Sequence, residues 1–104
     1  MNREIKFRAW DEVSEKMLNW NDFLDTNMKN TFIAPESTGL ILMQYTGLHD
    51  KNGKEIYEGD LVQQFNIKEN GIIEYKYGQF GIKCLGMFWN IHPTKIVVVR
   101  KYIR

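Results

Sequence analysis

Four carboxylates lie close together in the middle of the chain, and side chains of this type can bind metal ions or act as general acids and bases. They are Asp50, Glu55, Glu58 and Asp60. The spacing does not match an EF-hand: Asp50 and Asn52 are followed by Gly53 and Lys54, whereas that loop needs a ligand at its fifth position and a glycine at its sixth. Acidic residues beside glycines also form turns by bonding to nearby backbone amides. The pattern favours such a structural role for the cluster and leaves a polar surface site for a partner as the alternative.

Thiol and imidazole groups suit nucleophilic catalysis or metal binding, but the chain has few of them. One cysteine, Cys84, and two histidines, His49 and His92, fall short of the four ligands of a structural zinc site. Cys84 and His92 could form a nucleophile and base pair, yet a lone cysteine beside Ile82 and Leu85 is typical of a core position. The sequence contains no phosphate-binding loop, dinucleotide-binding glycine motif or nucleophile elbow. We therefore predict a protein that is not an enzyme and holds no metal and no cofactor.

Charge is distributed unevenly along the chain, although the net charge is only +1. All acidic residues lie at or before Glu74, and every charged residue after it is basic. The candidates for a basic surface are Lys76, Lys83, Arg100, Lys101 and Arg104. Aromatic residues in the same stretch could stack on bases while the cations follow phosphates, as in single-stranded nucleic-acid binding. The alternative is that these cations only solvate the outer face of the late strands.

Residues 4–10 alternate between apolar and polar side chains, which predicts a half-buried β-strand. Ile5, Phe7 and Ala9 would face the core, and Arg8 and Trp10 would lie on the opposite, charged face. An exposed tryptophan is a common anchor at protein interfaces. Trp10 is therefore a candidate contact residue, unless residues 21–38 cover it.

The strand over residues 4–10 is predicted to be the first arm of a hairpin. Residues 17–20 can return antiparallel as the second arm, with a short helical turn from Asp11 or Ser14 as the alternative. Residues 21–38 have no sustained period and contain Pro35, which predicts a loop with one short helix near residues 22–28. We expect residues 1–38 to form a subdomain that packs on the rest of the chain.

From residue 39 onward, short apolar segments alternate with glycine-centred turns. The run 40–46 predicts a buried central strand, Asn52-Gly53 favours a type I′ turn, and Glu58-Gly59-Asp60 predicts a second reversal. Further strands are predicted at residues 61–65, 72–75, 79–83 and 96–99. Many short strands at close spacing are typical of a small barrel or sandwich. The predicted fold class is mainly β (α+β), with a small SH3-like β-barrel over residues 39–104.

Length and composition are those of one folded domain. With 104 residues, 43% of them hydrophobic, the chain can bury one core and is too apolar to be disordered. We therefore predict a single domain over residues 1–104. No apolar run approaches the roughly 18 residues that cross a bilayer, and no apolar signal segment follows the start. The expected location is the cytoplasm, without membrane contact.

Two segments in this order and at this separation resemble the YopX family, which phages and prophages encode. They are REIKFRAWD at residues 3–11 and LMQYTGLHDKNGKEIYEGDLV at residues 42–62. A weaker third match is GIIEYKYGQFG at residues 71–81. The chain ends in IVVVRKYIR, where family members usually have an Ile-Gly-Asn-Ile-Tyr-Glu-Asn-Pro-like tail. The resemblance implies a phage or prophage gene expressed in the cytoplasm of a bacterial host, and it implies no established activity.

Taken together, these patterns predict an accessory protein that binds an unknown protein partner or a second copy of itself. The candidate contact residues are Trp10, Glu58, Asp60 and the basic residues named above. Self-association through exposed strand edges would suit a small β-domain. The alternative function is nucleic-acid binding by the basic last third of the chain.

Overall fold

Strands dominate the computed structural model, which confirms the mainly β class. The structure describes residues 4–25, 39–65 and 67–101. The elements are β1 (Phe7–Asp11), β2 (Lys16–Leu18), α1 (Trp20–Asp25), β3 (Leu40–His49), β4 (Glu55–Tyr57), β5 (Leu61–Gln64), β6 (Ile67–Lys76), β7 (Gln79–Cys84), β8 (Met87–Trp89), a 3₁₀ helix (Pro93–Lys95) and β9 (Ile96–Arg100). Within the described residues, no helix is long and apolar enough to cross a lipid bilayer. Contacts divide the chain into two units, residues 4–44 and the residues from Tyr45 onward.

In the first unit, β1 pairs antiparallel with β2 on one side and with the first half of β3 on the other. This pairing confirms the predicted hairpin. The connection between its arms is one helical turn, in which the Glu15 N–H donates to the Asp11 carbonyl at 2.8 Å. The Asp11 carboxylate accepts hydrogen bonds from the N–H groups of Val13 and Ser14, which no helical carbonyl can satisfy. The hairpin and the short helical turn, which were predicted as alternatives for this segment, therefore occur together.

The short helix α1 begins at Trp20, two residues earlier than predicted, because Asn19 caps it. The Asn19 side-chain oxygen accepts from the Asp22 N–H at 3.0 Å, and the Asp22 carboxylate accepts from the Asn19 N–H at 2.8 Å. Such a reciprocal pair satisfies two backbone donors at the start of a helix. Residues 26–38, which include the rest of the predicted loop and the predicted end of the helix, lie outside the described residues.

The predicted alternation of the first strand is wrong at Ile5 and Arg8. The strand begins only at Phe7; Ile5, predicted to face the core, is exposed, and Arg8, predicted to face solvent, is buried. Arg8 lies opposite Met43 of β3, and its Nη2 atom is 3.6 Å from the Met43 sulfur. Since Ala9 is buried as well, both faces of β1 are covered at this point. Alternation along one strand cannot reveal a second covered face.

In the second unit, the second half of β3 pairs antiparallel with β4. The connecting reversal occurs where Asn52-Gly53 predicts it, with the Gly53 N–H donating to the Asp50 carbonyl. The predicted type I′ turn is wrong, because only Gly53 of the pair has a positive φ, at 85°. The Asp50 carboxylate accepts from the N–H groups of Asn52 and Lys54, and this side-chain turn holds Asn52 at negative φ.

The remaining strands form a five-stranded antiparallel sheet in the order β8-β7-β6-β5-β9. Strands are confirmed in all four segments predicted after residue 60, although β6 begins earlier, at Ile67. β8 was not predicted. The core of this unit is the cluster of Ile56, Val62, Ile73, Ile82, Cys84, Ile96 and Val98. Alternate residues of the sheet strands supply most of it, as a sheet with one covered face requires.

Two tight hairpins connect β6 to β7 and β7 to β8. Tyr77 and Gly78 have φ of 55° and 78°, and Leu85 and Gly86 have φ of 54° and 76°. Positive φ at both central residues is the conformation of a type I′ turn, which favours asparagine, aspartate or glycine. Tyrosine and leucine are therefore conformationally unfavourable at these two positions.

Candidate functional site

Asp50 is a buried structural residue that joins distant parts of the second unit. Its Oδ1 atom accepts from the N–H groups of Asn52 and Lys54 at 2.8 and 2.9 Å, and its Oδ2 atom accepts from the N–H of Val98 at 2.9 Å. Burial by itself raises the pKa of Asp50. The three backbone hydrogen bonds and the Lys54 charge outweigh burial, and the pKa lies below its ordinary value of 3.8. Asp50 therefore stays ionised near neutral pH and holds the turn to β9.

The prediction of Asp60 as a contact residue is wrong, because its side chain is fully buried. The Asp60 carboxylate accepts from the N–H of Tyr57 at 2.8 Å, and the Asp60 N–H donates to the Tyr57 carbonyl at 3.2 Å. Gly59 lies in this turn at φ 85°. Glu58 lies in the same turn and is half-buried. Asp60 thus bonds a turn amide, which is the structural role that the sequence favours.

The other titratable candidates do not come together as a reactive site. In the described part of the chain, no three His, Cys, Asp or Glu side chains are grouped as metal ligands. Cys84 is buried, as predicted, and its sulfur lies 3.9 Å from the Glu69 carbonyl oxygen. His92, its proposed partner, is exposed.

Trp10 is less accessible than an exposed anchor would be. It is half-buried in β1, opposite Met17 of β2 and Ile41 of β3, which are themselves half-buried. As the central strand of the three, β1 leaves its tryptophan flanked on both sides. Trp10 therefore contributes to the packing of the first unit, and at most part of its ring can meet a partner.

The basic residues do not form one continuous surface. Lys83 and Arg100 lie on the same face of the sheet, since Lys83 pairs with Ile72, Ile72 with Leu61, and Leu61 with Arg100. Three strand spacings separate the two cations, which corresponds to about 14 Å. Glu74 also lies on this face, two residues from Ile72.

The other candidates for the basic surface lie elsewhere. Lys76 is at the end of β6, with its Nζ atom 5.7 Å from the centre of the Tyr77 ring. Lys101 follows β9 and is exposed, and Arg104 lies outside the described residues. The described members of the predicted basic surface are therefore scattered.

An apolar strip at one edge of the sheet was not predicted. Leu85, Met87 and Trp89, here called the β8 margin, are exposed on 70%, 57% and 38% of their surface. Met87 and Trp89 lie opposite the buried Cys84 and Ile82, so the core-facing side of the sheet continues into solvent at this edge. Leu85, an apolar neighbour of the buried Cys84 in the sequence, is itself exposed.

Comparison with known proteins agrees with the resemblance seen in the sequence. The model of the YopX protein family matches residues 6–102. No curated protein matches the chain significantly. The crystal structure of protein EF1440 from Enterococcus faecalis is similar, with a TM-score of 0.68 and 24% identity over 95% of this chain and 93% of that one. At this identity the likeness shows the fold alone. Because the family match spans nearly the whole sequence, the chain belongs to the YopX family.

Proposed function

We propose that this chain is a non-enzymatic protein-interaction module of a phage or prophage. It acts in the cytoplasm of the bacterial host and binds a partner protein, or a second copy of itself, through the β8 margin. Methionine and tryptophan are enriched in the buried centres of interfaces. In the described part of the chain, β8 pairs only with β7, so its other edge can accept an added strand.

The observation that carries this proposal is that Leu85 combines an unfavourable backbone conformation with an exposed side chain. Its backbone has φ 54°, a conformation that costs a leucine roughly 1 kcal/mol relative to asparagine or glycine. Its side chain is 70% exposed, so burial within the chain does not offset that cost. From this combination, and from the neighbouring exposed Met87 and Trp89, we infer that the Leu85 side chain contacts another molecule.

The SH3-like form of the second unit is part of the same proposal. A barrel must cover the free edges of its sheet. The Lys51 N–H donates to the Ile96 carbonyl at 3.0 Å, and the Val98 N–H donates to Asp50, so the turn before β4 lies along the outer edge of β9. These bonds support a covered outer edge at β9, whereas β8, at the other end of the sheet, pairs only with β7 among the described strands. The subdomain over residues 1–38 and the single domain over residues 1–104 stay predictions.

Replacing Leu85 by asparagine should change stability and binding in opposite directions. Asparagine accepts positive φ, so the free energy of unfolding should rise by about 0.5–1 kcal/mol, which corresponds to a few degrees in Tm. The loss of the apolar side chain should weaken partner binding or self-association at least tenfold. Thermal unfolding measures the first effect. Sedimentation of the purified protein, and stoichiometric capture of a partner from phage-infected host cells, measure the second.

Tyr77→Asn is the matched control, because Tyr77 occupies the same position in the other type I′ turn, at the opposite end of β7. It relieves a similar backbone cost, and the Tyr77 ring packs edge-to-face on Phe88, whose side chain lies on the other face of β8 from Met87 and Trp89. We expect a similar or smaller gain in Tm and unchanged binding. Equal binding by wild type, Leu85→Asn and Met87→Lys would exclude the β8 margin as the contact surface.

A further inference from the structure

A cavity of about 270 Å³ opens at one end of the five-stranded sheet, beside the core of the second unit. Its walls come from the end of β5, the start of β6, the end of β8 and the 3₁₀ helix with the start of β9. The side chains that matter for its chemistry are Gln64, Phe65, Trp89, His92 and Lys95, above a floor that includes the buried Ile96. Small-molecule sites measure roughly 300–1,000 Å³, so this cavity has room for about one ring system.

The amide of Gln64 is an unused hydrogen-bond donor beside this cavity, which the Gln64 side chain lines. Its Nε2 atom is buried and donates to no atom of the described residues. A buried donor without an acceptor is costly, and the great majority of such groups in folded proteins are satisfied. Rotation of the Gln64 amide toward the cavity would bring this donor to an acceptor on a bound molecule. A side-chain amide also carries a donor and an acceptor side by side, which matches the hydrogen-bonding edge of a nucleobase.

The other walls favour a flat, anionic ligand. Phe65 and Trp89 line the cavity, yet both remain partly exposed, so their rings are available to a further group. Lys95 and His92 are exposed at the cavity, and the Nζ atom of Lys51 lies 4.5 Å from the centre of the Phe65 ring. None of the lining residues is acidic. Rings for stacking, an amide for an edge and cations for a phosphate are the combination that recognises nucleotides.

We propose that this cavity binds one nucleotide, with its base packed against Trp89 and Phe65, its edge bonded to the Gln64 amide and its phosphate near Lys95. The proposal goes beyond the protein contact at the β8 margin: it shares Trp89 with that margin but needs neither Leu85 nor Met87. The nucleotide is either a free mononucleotide or an unpaired nucleotide of a single strand. The chemistry of recognition is the same in both.

The test is titration of the full chain with AMP, GMP, CMP and UMP, and in parallel with ten-nucleotide single strands of DNA and RNA. Isothermal calorimetry gives the affinity, and amide chemical shifts locate the site. We expect saturable binding, with the largest shift changes at Gln64, Trp89 and Lys95. Mononucleotide binding identifies a free nucleotide as the ligand. Saturation by the oligonucleotides alone identifies a nucleotide within a strand.

Three variants tie binding to the cavity. Trp89→Ala should weaken binding about 5- to 100-fold by removing a stacking surface, and Trp89→Phe should restore most of it. Gln64→Met removes the donor at similar volume, so it should weaken binding while leaving the Tm of the free protein unchanged or higher. Lys95→Gln should weaken binding and its salt dependence, whereas Lys83→Gln, an equal change of charge away from the cavity, should not.

Three outcomes contradict the proposal. One is the absence of saturable binding of any mononucleotide or single strand to the folded chain at millimolar concentration. Another is equal weakening by Lys95→Gln and Lys83→Gln, which would indicate diffuse charge attraction. The third is a lower Tm for free Gln64→Met, because the amide would then be satisfied within the protein.

Discussion

Replacement of Asp50 by alanine is expected to lower the free energy of unfolding by about 3 kcal/mol, because the variant leaves three backbone N–H groups without their charged acceptor. The Val98 N–H is the costliest of these, since it lies at a buried position of β9. Domains of this size are stable by only about 5–15 kcal/mol, so the change removes a large fraction of the total. Chemical denaturation with urea measures it, with Asn52→Ala as the control.

That control changes an exposed side chain in the same turn while leaving the backbone donor in place. Its expected effect is within about 0.5 kcal/mol. If Asp50→Ala were no more destabilising than Asn52→Ala, the carboxylate would not hold the turn to β9, and the proposed covered edge at β9 would lose its support.

The same carboxylate should make stability depend on pH in acid. The pKa of Asp50 is lower in the folded chain than its ordinary value of 3.8, so the unfolded chain binds the proton more readily. The stability that the ionised group contributes is therefore fully present above about pH 4–5 and is lost as pH falls from there through the folded pKa.

Asp50→Asn should lack this part of the acid dependence. Asp11 adds a dependence of the same sign, since the side-chain hydroxyl and backbone N–H of Ser14 and the N–H of Val13 lower its pKa. The difference between wild type and Asp50→Asn isolates the contribution of Asp50. Parallel loss of stability in both proteins between pH 5 and 2.5 would refute the assignment.

Replacement of Gly81 by alanine should destabilise the second unit by about 2–3 kcal/mol through overpacking. The added Cβ atom would lie 2.7 Å from the Trp89 carbonyl oxygen and closer still to the ring of Phe88. Phe88 is opposite Lys83 in the β7–β8 pair, and its ring covers Gly81. A ring can rotate away, but a backbone carbonyl moves only if β8 moves.

Gly81→Ala should therefore disturb β8 more than the rest of the sheet. We expect a lower Tm together with the largest amide shift changes in Met87, Phe88 and Trp89, measured by NMR on the folded fraction at low temperature. Gln79→Ala in the same strand changes an exposed side chain and should have little effect. A Gly81→Ala protein with unchanged Tm and unchanged β8 shifts would contradict the close packing of β8 on this glycine.

The sequence predicted the local features of the fold well because each depends on a few neighbouring residues. The Asn52-Gly53 and Glu58-Gly59-Asp60 reversals occur where their residues predict them, since side-chain bonds and glycine conformation act over three or four positions. The strands of the sheet follow their short apolar segments for the same reason. The type I′ assignment at Asn52 failed because the Asp50 carboxylate imposes another turn on the same dipeptide.

The candidate surface was less predictable, because exposure depends on which strands become neighbours. Asp60 has the sequence character of a surface carboxylate and is fully buried, whereas Leu85 has the character of a core residue and is exposed. Lys83 and Arg100 belong to one basic segment, yet two strands lie between them in the sheet. None of these outcomes is encoded within a window of a few residues.

By itself, the sequence determined the family of this protein, its mainly β class and the position of most strands and turns, because motif, alternation and turn chemistry are properties of adjacent residues. Only the tertiary structure decided that Asp50 reaches Val98 across 48 residues, that the core side of the sheet continues uncovered along the β8 margin, and that Gln64 and Phe65 share a cavity with Trp89 and Lys95. The physical reason is that burial and proximity arise from pairing between strands distant in the chain, and a residue's type does not reveal its partner.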